Sequence, residues 1–223
     1  MKTILVVSTT SFALGLLLLA APSTSRADNI FVSNNNDGSV NGPYSIEEFS
    51  SSGVGTPFAS SGLNGPGGLT FDSAGNLYVA NYNGNYIEEF NSSGVGTVYA
   101  SGVSTPRALA FNSAGQMFAV SDSSSVLKIV GGSGTLFAST GDTPVGAAFD
   151  KSGNLYVSVQ NIPGSGGESI EKFNTNGVGT VFATGLNGPI DLAIQVPEPS
   201  TWTMVVLGIG AVLGGLRMRR RSS

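Results

Sequence analysis

The sequence contains no cysteine and no histidine among its 223 residues. The absence of cysteine excludes disulfides and thiolate nucleophiles, and the absence of both residues excludes zinc sites of the Cys/His type. Without histidine there is no Ser-His or Cys-His catalytic arrangement. Any acid–base or metal chemistry would therefore have to use carboxylates, amides, hydroxyls and a few amines.

Charge is also scarce, because Asp, Glu, Lys and Arg make up 11% of the chain, less than half the roughly 25% of an average soluble domain. Most of the ten basic residues lie near the two ends. Residues 28–194 contain four basic and thirteen acidic residues. A body this acidic repels phosphate backbones, so we expect no binding of nucleic acid.

The chain is rich in glycine, with 32 residues, and it repeats internally. The segment PGGLTFDSAGNLYVAN, which begins at Pro66, returns in altered form at Pro106 and at Pro144. Each copy contains four short β-type runs separated by Gly, Asn and Ser turns. In the turn Phe-Asp-x-x-Gly-Asn, we expect Asp to bind the local backbone and Gly to adopt a positive φ. Four strands in every ~40 residues are typical of a β-propeller blade.

The pattern Pro-x-x-Leu-x-Phe-Asp-x-x-Gly-Asn-Leu-Tyr-Val-Ala resembles the NHL repeat and the related SMP-30/gluconolactonase-like propellers. The resemblance extends over residues 28–194 and implies an all-β fold. It is specific for the fold and carries little information about activity. The second strand here ends in Asn81, where that family usually has Asp.

The frame of the repeat predicts how the ring closes. The chain from Asp28 aligns with the second strand of a blade, and the missing first strand matches residues 189–194 at the other end. The sequence therefore predicts a small, about four-bladed propeller closed by N- and C-terminal strands, which leaves no sheet edge exposed. The rival is an open array that pairs with a second copy.

The candidate ligand residues follow from this frame. Arg107 and Asp191 come just after the prolines that open innermost strands, so we expect both at one mouth of the central channel, where they could bind an anionic or polyol ligand. The alternative is that they pair with each other or face solvent. Asn81 and Asp122 lie at the ends of second strands and are the only residues that could imitate the metal ligands implied by the resemblance. Since a hard cation requires several oxygens including carboxylates, we expect no metal, no cofactor and no catalytic residue.

Two further expectations concern the rest of the propeller. The third strands carry acidic residues such as Glu47 and Glu88, which we expect to face water. The longest insertion, residues 160–169, is the loop that we expect to be adapted for recognition if any loop is.

The N-terminus has the features of a secretory signal, residues 1–27. Lys2 precedes an apolar run from Ile4 to Ala21, and Ser25-Arg26-Ala27 places small residues where signal peptidase cleaves, before Asp28. The alternative is a retained membrane anchor.

The C-terminus, residues 196–223, has three parts in order: Pro197-Glu198-Pro199, an apolar stretch from Trp202 to Leu216, and an arginine cluster. Fifteen helical residues span roughly 22 Å, so this segment crosses a bilayer only marginally, and the arginines keep its end in the cytoplasm. The cluster consists of Arg217, Arg219, Arg220 and Arg221.

This tail resembles the PEP-CTERM sorting signal of Gram-negative bacteria that make exopolysaccharide. The resemblance implies export, recognition of the Pro-Glu-Pro motif by an exosortase-type membrane enzyme, and removal of the tail. An ordinary single-span anchor would explain the apolar run and the arginines but not Pro-Glu-Pro.

Together, these features predict an exported β-propeller, 28–195, delivered to the cell surface or extracellular matrix. We expect a non-enzymatic binding or scaffold module for polysaccharide or another surface protein. The alternatives are a divalent-metal-dependent lactonase or hydrolase of the SMP-30-like kind and a purely structural surface protein.

Overall fold

The computed structural model describes residues 29–35, 44–160 and 168–195. These residues form fifteen β-strands and no helix. The strands are β1 (Ile30–Asn34), β2 (Ser45–Phe49), β3 (Gly55–Ala59), β4 (Pro66–Phe71), β5 (Leu77–Asn81), β6 (Tyr86–Phe90), β7 (Gly96–Ser101), β8 (Pro106–Phe111), β9 (Met117–Ser121), β10 (Ser125–Val130), β11 (Ser133–Ser139), β12 (Thr143–Phe149), β13 (Leu155–Gln160), β14 (Ser169–Phe173) and β15 (Gly179–Thr184).

The strands form four antiparallel sheets in which neighbours in sequence are neighbours in space. Blade 1 has three strands, β1 to β3, and blades 2, 3 and 4 have four each, β4 to β7, β8 to β11 and β12 to β15. The prediction of an all-β, propeller-like fold with four repeats is confirmed. Four segments fall outside the described residues: 1–28, 36–43, 161–167 and 196–223. They include the signal segment, most of the predicted recognition loop 160–169, and the C-terminal tail with the sorting-motif prolines and arginines.

The tight turn between the first two strands of a blade is fixed by an acidic or amide side chain. Oδ1 of Asp150 accepts hydrogen bonds from the backbone N–H of Ser152 at 2.9 Å and of Asn154 at 2.8 Å. Asp72 and Asn112 make the same two bonds in their blades. The glycine of the blade 4 turn, Gly153, has φ +81°. The turn chemistry predicted for Asp and Gly is confirmed.

The hydrophobic core consists of three clusters, one at each junction between consecutive blades. At the first junction, Ile46 of blade 1 packs with Leu77 and Val79 of blade 2. Equivalent residues meet at the other two junctions, for example Phe118 with Leu155. The second strand of a blade contributes to two clusters because its alternate side chains point to opposite faces.

Each junction also contains a group of three aromatic rings. The group combines one ring from the second strand of a blade, one from its fourth strand and one from the first strand of the next blade. The edge-to-face groups are Phe31 with Phe58 and Phe71, Tyr78 with Tyr99 and Phe111, and Phe118 with Phe137 and Phe149, all with centroids 4.9–5.3 Å apart. In blade 4, Tyr156 and Phe182 meet at 5.1 Å. Ile194 occupies the position of the third ring, and it lines a small apolar cleft with Tyr156 and Phe182.

Residues 189–194, predicted to form the closing strand, lie beside blade 4 but form no strand. Within the described residues, this segment forms no strand, and blade 1 lacks the innermost, first strand that the other three blades have. It lies beside blade 4, where Gln160 Nε2 donates to the Pro189 carbonyl at 3.0 Å and Ser158 Oγ donates to the Ile190 carbonyl at 3.4 Å. The prediction that this segment pairs with β1 is therefore wrong. The segment lies where the innermost strand of a following blade would lie, and it does not pair with β1.

A second correction concerns the acidic residues of the third strands. Glu88 on β6 is buried, and its Oε2 makes no hydrogen bond within the part of the chain that the structure describes. Glu88 lies opposite Val79, which belongs to the cluster between blades 1 and 2, so its side chain points into that junction rather than into water. Burial raises the pKa of Glu88 above its ordinary value. The prediction that it faces water is wrong.

No helix among residues 29–35, 44–160 and 168–195 has the length and apolarity needed to span a membrane. The apolar stretch 202–216 is not part of those ranges.

Candidate ligand pocket at the ends of the innermost strands

The innermost segments of the four repeats converge on one open cavity of about 420 Å³. Each repeat contributes the residues that follow its opening proline, and blade 1 contributes Asn35 from the end of β1. The lining residues are Asn35, Gly67, Gly68, Tyr82, Arg107, Ala108, Val145, Ile190 and Asp191. Arg107 and Asp191 both line this cavity.

Glycine at these positions lets neighbouring innermost strands approach closely. A Cβ on Gly68 would lie 2.7 Å from Ala108 Cα and 2.9 Å from the Arg107 carbonyl oxygen. A Cβ on Gly146 would lie 2.8 Å from Asp191 Cα. Such distances are too short for a side chain, so any other residue at these positions would push the neighbouring strands apart.

Arg107 pairs with Asp122 rather than with Asp191. Its Nε donates to Asp122 Oδ1 and its Nη2 donates to Oδ2 at 3.1 Å, which is the two-point geometry of an arginine–carboxylate pair. The pair connects the beginning of β8 to the residue after β9, so it is held by two hydrogen-bonded neighbouring strands. A hydrogen bond to Asp122 raises the pKa of Arg107 further above its ordinary range.

Tyr82 completes a cluster of three side chains with this pair. Its hydroxyl donates to Asp122 Oδ2, and the Arg107 guanidinium lies over its ring, with Cζ 5.2 Å from the centroid. The hydrogen bond to Asp122 raises the pKa of Tyr82 above its ordinary value. Sequence reasoning missed Tyr82, although the repeat contains the signal: Tyr82 follows Asn81 in the same register in which Asp122 follows Ser121.

Asn81 lies away from the cavity and is fully buried. Its Oδ1 accepts from the backbone N–H of Asn64 at 2.8 Å, and its Nδ2 donates to the Gly62 carbonyl at 3.1 Å. Both halves of the amide thus bind the loop that leads into β4. The structure gives Asn81 a structural role and separates it from Arg107, Asp122 and Asp191.

Asp191 lines the same cavity and is exposed. Its Oδ1 accepts a hydrogen bond from the backbone N–H of Leu192 at 2.8 Å. The cavity lining therefore presents one guanidinium, one carboxylate, a phenol and the amide of Asn35. Together with Asp122, which binds the lining residues Arg107 and Tyr82, this group of side chains carries one net negative charge.

The residues present do not fit a divalent-metal site of the kind that the SMP-30-like resemblance implies. Asn81 is bound on both sides, and both oxygens of Asp122 are engaged by Arg107 and Tyr82. In the described ranges, no three residues of the Asp, Glu, His and Cys types come together as ligands. A hard cation requires several free oxygens, including carboxylates.

Residues 195–221 match the PEP-CTERM protein-sorting motif. The match covers the Pro-Glu-Pro motif and the arginine cluster. It implies export with a membrane-anchored sorting signal and processing by an exosortase-type system. A search of curated proteins finds no match to the sequence.

Solved structures with similar folds include enzymes. A catalytically inactive virginiamycin B lyase from Staphylococcus aureus with quinupristin has a TM-score of 0.52 and 19% identity, covering 66% of this chain and 52% of that chain. A protein of unknown function from Bacteroides thetaiotaomicron has a TM-score of 0.55 and 17% identity, covering 75% and 47%. A putative gluconolactonase has a TM-score of 0.50 and 15% identity, covering 63% and 56%. These likenesses show a propeller fold, and the chain spans about half the length of the solved structures that it matches.

Proposed function

We propose that this chain is an exported propeller that binds polysaccharide at the cell surface or in the extracellular matrix. The observation that carries the proposal is the cavity at the ends of the innermost strands, where Tyr82, Arg107 and Asp122 form a preorganised polar cluster. The side chains of Asn35, Arg107 and Asp191 in its lining offer hydrogen-bond donors and acceptors that sugar hydroxyls can bind. The sorting motif supports delivery outside the cytoplasm.

The charges of the cavity favour a neutral polyol over an anion. Asp122 neutralises Arg107, and Asp191 adds a negative charge that no cation balances within the cavity lining. The acidic body of the chain adds to that repulsion. A neutral polysaccharide is therefore the ligand class that we propose.

Binding measurements on neutral and acidic polysaccharides test this. We expect the chain to retard in affinity electrophoresis through dextran or xylan and to show weaker retardation in alginate at low salt. Arg107→Ala and Asp191→Ala should each weaken binding at least tenfold, because each removes the hydrogen-bonding groups of one side chain from the mouth. Lys128→Gln removes a charge from β10, outside the cavity, and should leave binding unchanged. Absence of retardation by any of the three polysaccharides would overturn the proposal in favour of a purely structural role.

An enzymatic role on the same fold is the competing class. Virginiamycin B lyase is inactivated by a histidine-to-alanine substitution, and this chain has no histidine. A metal-dependent lactonase would need a cation, for which the described residues offer no suitable set. Calorimetric titration with calcium, zinc and manganese separates the classes: sub-micromolar binding that Asp122→Ala abolishes would favour the hydrolase.

A further inference from the structure

The first and the last blade each have one face that is left uncovered, although the equivalent face is covered in the other blades. We call the face of a blade that contacts the preceding blade its rear face, and the face that contacts the following blade its front face. The three hydrophobic clusters cover the front faces of blades 1 to 3 and the rear faces of blades 2 to 4. In the part of the chain that the structure describes, the rear face of blade 1 and the front face of blade 4 belong to no cluster.

Exposure at equivalent positions shows that these two faces do not meet within one chain. On the rear face of blade 1, Ile30 is 63% exposed and Val32 39%, whereas the equivalent residues of blade 2, Leu77 and Val79, are 1% and 0% exposed. On the front face of blade 4, Phe182 is 62% exposed. Its counterparts Phe58, Tyr99 and Phe137 are half-buried.

The same ends carry two complementary strand edges. In blade 2 the first strand pairs with the second through Pro66 with Asn81, Leu69 with Val79 and Phe71 with Leu77. In the repeat, the first-strand residues Pro66, Leu69 and Phe71 align with Pro189, Leu192 and Ile194. The second-strand residues Asn81, Val79 and Leu77 align with Asn34, Val32 and Ile30. Segment 189–194 thus carries the sequence of a first strand, and β1 is a second strand whose first-strand side is bare within the described ranges.

We propose that segment 189–194 of one copy pairs with β1 of a second copy, so that two chains close one ring of eight blades. The rear face of blade 1 would pack on the front face of blade 4 of the second copy, repeating the junction that occurs three times within the chain. The two junctions of such a pair are identical by two-fold symmetry, and neither copy retains a bare edge.

The solved structures support two copies rather than closure by one. This chain covers only 47–52% of the virginiamycin B lyase and Bacteroides structures while most of its own propeller region is aligned. Four blades with this packing are therefore about half of a complete ring. Closure by one chain would require Phe182 and Ile30 to bury each other, and both are exposed.

The pairing would also complete the ligand cavity. Asn35 stands at one end of the row of lining residues, next to Gly67, and Asp191 stands at the other end, next to the Val145 segment. In the paired ring, Asp191 of each copy approaches Asn35 of the other. The cavity that we assign to a polysaccharide would then be built by both chains.

Single-cysteine variants test the pairing cleanly because the chain has no cysteine of its own. Val32→Cys and Leu192→Cys, placed at positions that the repeat predicts to be opposite each other, are made separately in full-length chains with different tags. The two variants are co-expressed, extracted in mild detergent, oxidised with copper phenanthroline and separated on a non-reducing gel. The control pairs Leu192→Cys with Val95→Cys, because Val95 is 61% exposed but lies on a turn between β6 and β7, away from both faces.

We expect a cross-linked species that contains both tags from the Val32/Leu192 mixture and none from the control mixture. The doubly substituted chain should also give a two-chain species. If it gives instead an internal cross-link at the mass of one chain, the ring closes within a single copy and the proposal is wrong.

Mass measurement of the unmodified protein provides an independent readout. Light scattering of the full-length chain should give twice the mass of one chain, and Val32→Asp should reduce it to one. Val95→Asp should leave the doubled mass unchanged. A mass of one chain for the unmodified protein, with native β-sheet circular dichroism, would also overturn the pairing.

Discussion

The ring of Phe118 on β9 meets the ring of Phe149 on β12 edge to face, with centroids 5.0 Å apart, and this contact joins blade 3 to blade 4. Phe118 also contacts Phe137 of its own blade at 4.9 Å. One buried aromatic side chain therefore stabilises both a blade and a junction. The same arrangement at Phe31 and Tyr78 makes the aromatic group a repeated element of the fold.

Truncation of that ring should be among the most destabilising single changes. Phe118→Ala removes a side chain that is 4% exposed and leaves a cavity, which costs about 3–5 kcal/mol. Leu136→Ala is the control, because Leu136 lies on the outermost strand β11 and is exposed, so a change within about 0.5 kcal/mol is expected. Urea unfolding followed by circular dichroism measures both. Equal destabilisation by the two substitutions would contradict this account of the junction.

Glu88→Gln should stabilise the protein at neutral pH. Burial raises the pKa of Glu88 in the folded state, so folding becomes less favourable as the pH rises from about 4.3 through that raised value. Glutamine has no charge to desolvate, so the variant should lose this part of the pH dependence. Urea midpoints at pH 5 and pH 8 measure the effect.

The neighbouring substitution Glu89→Gln serves as the control for Glu88, since Glu89 is only half-buried. It should not increase the urea midpoint at pH 8. If Glu88→Gln lowered that midpoint instead, the carboxylate would have a stabilising partner at neutral pH.

Asp150→Asn should reduce the loss of folding stability that accompanies a fall in pH. A hydrogen bond from the Asn154 side chain, with further bonds from the turn backbone, holds the pKa of Asp150 below its ordinary value. A lowered folded pKa contributes stability above about pH 4 that is lost as the pH falls through the folded value. Asn112 makes the same backbone bonds in blade 3, so asparagine at 150 should preserve the turn. Thermal unfolding between pH 2 and pH 6 would show a shallower decline for the variant than for the native chain.

Asp122→Asn should lower the pKa of Tyr82 toward its ordinary value. The raised pKa arises first from the hydrogen bond that the Tyr82 hydroxyl donates to the Asp122 carboxylate, and removing the negative charge makes the phenolate easier to form. Ultraviolet absorbance titration of the variant should therefore differ from that of the native chain by one tyrosine that ionises at lower pH. The loss of the Arg107 ion pair should cost about 1 kcal/mol or less, because the pair is partly solvent-exposed. An unchanged titration would show that Tyr82 and Asp122 are not bonded in solution.

Much of the fold could be predicted from the residues because the repeat is local. Four β-runs and their turn residues recur in each ~40-residue unit, and each turn is fixed by side chains within five positions of one another, as at Asp150 and Asn154. The convergence of Arg107 and Asp191 followed from the same frame, since equivalent positions of successive blades surround one axis. Tyr82 was missed because its role depends on Asp122, which lies forty residues away in the next blade.

The sequence by itself determined the four-fold repetition, the identity of the blade strands and the sorting motif, because these depend on patterns shorter than one repeat. Tertiary structure alone decided three matters: that Glu88 is buried, that Arg107 pairs with Asp122, and that 189–194 lies beside blade 4 without reaching β1. The burial of Glu88 and the place of 189–194 depend on the angle at which one blade packs on the next, whereas the Arg107–Asp122 pair depends on the pairing of β8 with β9 within blade 3. That angle is set by the sum of many side-chain contacts at the junctions, and no local pattern in the chain encodes it.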